Sequence, residues 1–102
     1  MIVIHSEVPV EPESRAEAVE LLEWIAARSR AEPGVIEYRV TSDLEDPNTL
    51  RIIERYESED AADAHESSDH VAEFQREMEP HLADDAELTI HEVAARRTAP
   101  GP

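Results

Sequence analysis

Apolar residues recur at two different periods along this chain, and the places where the period changes mark its elements. Ile2, Val3, Ile4 and Val8 form a β-branched run closed by Pro9, which predicts a strand over residues 2–8. After Pro12 the spacing lengthens. Ala18, Leu22, Ile25 and Ala26 form a helical stripe with Val19 and Leu21 on its flanks, and Trp24 falls nearly opposite. Ser14-x-x-Glu17 predicts a capping box at the start of this helix, and Pro33-Gly34 predicts its end near residue 32.

Alternation then returns. Residues 34–40 predict a second strand with Ile36, Tyr38 and Val40 on one face and Glu37 and Arg39 on the other. Asp43 to Asn48 carries turn chemistry, so residues 50–56 form a third strand in a hairpin with the second. Residues 58–65 predict a short helix, and Ser67-Ser68 a break with a new N-cap. A further helix runs through Val71, Phe74 and Met78 to Leu82. Residues 86–95 predict a last strand with Leu88 and Ile90 on one side.

The order strand, helix, strand, strand, helix, strand predicts an α+β, ferredoxin-like (split βαβ) domain over residues 1–96, with a flexible tail over 97–102. Its single antiparallel sheet carries helices on one face. Val3, Val35 and Ile53 alternate onto the other, and so small a domain has no second layer to cover them. Pairing of two sheets face to face, and hence a homodimer, is the expectation.

Charge changes the picture of partners more than of fold. The 102 residues hold 25 acidic side chains against 9 basic ones, all of them Arg, for a formal net charge of −16. Such a body repels phosphate backbones, which disfavours nucleic-acid partners. Regular apolar periods argue against the disorder that this composition otherwise suggests. Acidic enrichment with no Lys fits a halophilic cytoplasm, where molar salt shortens the Debye length to about 3 Å and relieves the repulsion. Cysteine is absent, so no disulfide or thiolate chemistry is open to the chain. No apolar run reaches the roughly 20 residues of a membrane span, and a soluble, cytoplasmic protein is expected.

Candidate chemistry is concentrated in residues 54–74. Glu54-x-Tyr56-Glu57-Ser58 closes the third strand, and His65, Ser68, His70 and Phe74 follow on the helical segments. A carboxylate, a phenol, two imidazoles and an aromatic ring therefore meet at one strand-to-helix corner. Plain structural roles compete with function here: Glu54 could pair with Arg39 or Arg51, and the rings could be core. His65 and His70 are a poor chelate if they lie on one continuous helix, so no metal site is expected. His5, His81 and His91 show no spacing that suggests a site.

Ile53-Glu54-x-Tyr56-Glu57-Ser58, Ala64-His65 and Ser68-x-His70 with Phe74 resemble the signature of the small quinol monooxygenases, within the antibiotic biosynthesis monooxygenase superfamily. Gly34-Val35-x-x-Tyr38 is similar to that family's second-strand pattern, and Glu7 falls where its first strand often carries a carboxylate. The resemblance implies a dimeric α+β barrel with a pocket between sheet and helices for a planar hydroquinone or polyphenol. It also implies oxidation by O2 with no metal, flavin or other cofactor. A phenol must lose a proton before it passes an electron to oxygen, so a base is needed, with His65 the first candidate and His70 the second. Glu54 would orient an imidazole or hold a second substrate hydroxyl. Tyr38, Tyr56 and Phe74 would wall the ring, with Glu7 as a further substrate contact. The haem-degrading relatives are a poor match, since Glu7, His65 and Gln75 stand at the places of their Asn, Trp and His. A non-catalytic dimeric domain that binds or senses a small aromatic is the alternative.

Overall fold

The computed structural model describes residues 1–102. Four strands, β1 (Ile2–Pro9), β2 (Val35–Ser42), β3 (Thr49–Tyr56) and β4 (Glu87–Glu92), alternate with helices α1 (Arg15–Arg30), α2 (Glu59–Glu66) and α3 (Asp69–Met78). The strands form one antiparallel sheet in the order β2-β3-β1-β4, the ferredoxin-like arrangement that the element order predicts. No helix is long and apolar enough to cross a membrane.

Strand alternation sorts the side chains. Ile2, Ile4, Ser6 and Val8 of β1 and Leu50, Ile52, Glu54 and Tyr56 of β3 are all buried under the helices. Ala18, Leu22, Ile25 and Ala26, the predicted stripe of α1, close the core together with Val71 and Met78 of α3. Leu22 and Ile25 are almost fully buried, and truncating either would cost about 2–5 kcal/mol.

Strand β2 departs from the expected alternation. Its register slips between Val35 and Glu37, so Val35 lies opposite Tyr56 and packs against the core, while Ile36 is left exposed. A bulge inserts one unpaired residue and flips the faces before it. The placement of Val35 on the open face and of Ile36 beside Tyr38 is corrected accordingly.

The helix ends follow local chemistry. A 3-10 turn over Pro12–Ser14 leads directly into α1, so Ser14 has helical backbone angles and its side chain caps nothing. The predicted capping box does not form, because an N-cap needs extended backbone. Ser58 and Ser68 are extended, and their hydroxyls accept from Ala61 N at 3.1 Å and Val71 N at 3.4 Å. Helix α3 stops at Met78, short of the predicted Leu82, and gives way to a 3-10 turn over Glu79–His81 that contains Pro80.

Gly34 joins α1 to β2 at φ 80°, in the left-handed region. A Cβ there would sit 2.7 Å from the Cβ of Ala61. Only glycine lets this turn lie against α2, so Gly34 sets how closely the end of α1 approaches the helix that carries His65.

The face away from the helices is polar. Val3 and Ile53 are half-buried there, among ion pairs from Arg51 to Glu7 (2.8 Å) and Asp43 (2.9 Å) and from Arg55 to Glu37 (3.0 Å). The rings of His5 and His91 meet edge-on at 5.6 Å. Strand β4 is exposed along its whole length; Leu88 and Ile90, uncovered at 48% and 59%, pair with Ser6 and Ile4 and so lie on the helix side of the sheet. The chain from Ala94 onward is exposed.

Candidate functional site

Glu54 occupies a core position because its parity on β3 matches that of Ile52 and Tyr56. It therefore faces the helices and not Arg39 or Arg51, and the alternative of a cross-strand ion pair is set aside. Burial pushes the Glu54 carboxyl up from its ordinary value, opposed by the hydrogen bond that the Tyr56 hydroxyl donates to its Oε1 and by the nearby His65. Burial, reinforced by the Glu54 charge, likewise raises both Tyr38 and Tyr56, so the two phenols remain protonated.

His65 stands at the end of α2 with its side chain only 5% exposed. The rings of Tyr38 and Tyr56 flank it, each with centroids 5.5 Å away. Nδ1 lies 3.0 and 2.9 Å from the two carboxylate oxygens of Glu32, and Nε2 lies 3.7 Å from Glu54 Oε1. A carboxylate can only accept, so Nδ1 donates to Glu32; in the neutral ring Nε2 then carries the lone pair. His70 Nε2 donates to Glu32 Oε1 at 2.6 Å from the first turn of α3.

One carboxylate thus gathers two imidazoles. Ser67 and Ser68 separate α2 from α3, so His65 and His70 approach from different helices and converge on Glu32. Two imidazoles on separate helices can reach one point that a single continuous helix would deny them. Glu32 itself was not singled out from the sequence. It is one acid among many, placed by the Pro33-Gly34 turn and by Arg30, whose Nε donates to the Tyr38 carbonyl at 2.9 Å and ties the end of α1 to β2.

Beside His65 a cavity of about 150 Å³ opens between sheet and helices. Tyr38, Glu54 and His65 supply its polar end, and Ile52, Val71 and Phe74 its apolar wall. Ser6 and Gln75, also unforeseen, line it as well. Tyr56 does not reach this cavity; it holds Glu54 from behind. His70 and Glu32 sit on the far side of His65, outside the lining. Glu7 belongs to the opposite face, where Arg51 pairs with it, because odd residues of β1 point away from the helices. Its expected part in this pocket is corrected; Ser6 holds the inward position. A wider groove of about 560 Å³ between α1 and α3 is lined by Glu17, Glu20, Glu73 and Glu77, with Trp24 and His81. It lies apart from the group around His65.

Solved structures share this fold over almost the whole chain. A proposed antibiotic biosynthesis monooxygenase from Deinococcus radiodurans is 25% identical, with a TM-score of 0.93 over 99% of this chain and 100% of that one. A conserved protein from Methanosarcina mazei Go1 is 29% identical, with a TM-score of 0.85 over 88% of this chain and 89% of its own. An uncharacterized Synechocystis protein, sll1783, is 29% identical over 97 residues, which is 95% of this chain and 66% of that protein's length. The chain therefore spans slightly less than two thirds of this relative. The model of one family, Antibiotic biosynthesis monooxygenase, matches residues 1–77, from β1 to the last turn of α3. The chain belongs to that family.

Proposed function

We propose that the chain oxidises a small quinol or polyphenol with O2 in the cavity beside His65. The observation that carries this reading is the pairing of His65 Nδ1 with Glu32, which turns Nε2 toward an aromatic-sized cavity. Glu32 fixes the tautomer and stabilises the imidazolium that forms when Nε2 takes the substrate proton. The resulting phenolate is electron-rich enough to pass an electron to O2, and no step is assigned to a metal or flavin. Glu54, held by Tyr56, binds the second substrate hydroxyl. His70 is a positioning residue that steadies Glu32.

Size narrows the substrate. An engineered apolar cavity of similar volume accepts benzene, so a single-ring hydroquinone or catechol fits better than a fused polycycle. We also infer a homodimer: a second copy packed on the open face of the sheet would cover Val3 and Ile53. Light scattering gives the mass directly.

The second reading is a non-catalytic domain that binds a small aromatic. One observation favours it: both nitrogens of His65 already face carboxylates, as in a rigid binding wall. The two readings part on oxygen consumption across a panel of one-ring and two-ring hydroquinones. The monooxygenase reading expects enzyme-dependent uptake, greatest for one ring. A binder gives ligand-dependent melting shifts with no uptake above autoxidation.

A further inference from the structure

We propose that Glu32, His65 and His70 form a binding site for a divalent transition-metal ion of the zinc, cobalt or nickel type. Their ligand atoms all lie within 4.8 Å of one another, and the three side chains arrive from the α1–β2 turn, the end of α2 and the start of α3. Bonds of about 2.0–2.2 Å to one tetrahedral ion put its ligands roughly 3.4 Å apart, so only small side-chain shifts separate this geometry, with its Glu32 contacts of 2.6–3.0 Å, from a bound one. Two imidazoles and one carboxylate suit these borderline ions, whereas Mg2+ and Ca2+ prefer an all-oxygen shell.

The surroundings are those of a supported ligand set. A metal-binding imidazole usually gives its other N–H to a carboxylate, and His65 Nε2 faces Glu54, which in turn accepts from Tyr56. Serine caps on α2 and α3 and the tight Gly34 turn hold the three segments in place.

The proton balance is simple. In the metal-free site neutral His65 carries its proton on Nδ1, which donates to Glu32. On metal binding Nδ1 becomes the ligand, and that proton moves to Nε2, which faces Glu54 Oε1 at 3.7 Å. His70 makes the matching exchange, from Nε2 to Nδ1. No oxidant or reductant is needed. Nε2 then has no lone pair, so the ion would inhibit the oxidation proposed above. That consequence rests on the oxidation reading; the site itself does not.

The test is made on the metal-free chain in molar KCl, with no substrate, so it is independent of any turnover. Co2+ is followed by its visible d–d absorption and Zn2+ by calorimetry, for the wild type, Glu32→Gln and His70→Ala. Circular dichroism confirms that each variant is folded, and the near-isosteric Glu32→Gln serves if His70→Ala does not fold. One tight ion per chain is expected, with the absorption of nitrogen-bound Co2+ and affinity at least about 10–100-fold weaker in the variants, the scale seen for losing even an outer-shell partner. Binding without that absorption, or unchanged in a folded variant, would put the ions on surface carboxylates and overturn the proposal.

Discussion

The two faces of one sheet use the same residue types to opposite ends. On β1 and β3, neighbours one residue apart point to different worlds. Glu54 is buried against Tyr56 and His65, while Glu7 lies on the open face in an exposed pair with Arg51. His65 is locked between two tyrosine rings, whereas His5 merely touches His91 at the surface. Chemical identity alone does not make a site. Burial makes each unmet hydrogen bond costly, and that cost holds Glu32, Glu54 and His65 in one arrangement.

The largest effect on this contrast should come from the turn that positions the buried face. Gly34→Ala adds a Cβ 2.7 Å from Ala61 and forces a left-handed backbone on alanine. A loss of about 2–5 kcal/mol is expected in denaturant melts, with oxygen uptake reduced as α2 shifts away from Glu32. Next is Tyr56→Phe, which removes the only donor that reaches Glu54 at hydrogen-bond distance. Stripping a buried acceptor of its partner should cost about 1–3 kcal/mol. On the open face Glu7→Gln should leave the melting temperature unchanged in high salt, because exposed, screened pairs contribute little.

The smallest effects are in pH dependence, and their signs differ between faces. Backbone N–H donation from Glu45, followed by the Arg51 guanidinium, holds Asp43 below the usual carboxylate range. Its folded pKa is depressed, so its stabilisation is present above the unfolded value and is lost as pH falls through the folded one. Glu54 is raised by burial, so its contribution is greatest in acid and is lost as pH rises through its folded pKa. In metal-free buffer, Asp43→Asn should flatten the acid side of a stability–pH curve, and Glu54→Gln the side above the normal glutamate range.

Much of this was legible in the chain. Period-2 alternation carried β1 and β3, and serine spacing marked the starts of α2 and α3, because those signals are local. The bulge in β2 was not legible, since nothing in Val35-Ile36-Glu37 advertises an unpaired residue. Glu7 could have been excluded from the pocket, because Ile2, Ile4 and Val8 already assign the inward parity of β1. Glu32 could not have been found this way. It meets His65 and His70 only through tertiary packing, across 33 and 38 residues of sequence. The open face was expected to carry Val3, Val35 and Ile53, yet Val35 packs against the core and the other two lie among charged pairs.

The central claim is that His65 is the base of an oxygen-consuming reaction. It is tested most directly by oxygen uptake with one-ring hydroquinones in molar KCl, comparing wild type, His65→Ala and Glu7→Gln as folded proteins. The account predicts substrate-dependent uptake that falls by about 100- to 10,000-fold in His65→Ala and persists in Glu7→Gln. Equal uptake by wild type and His65→Ala would contradict it.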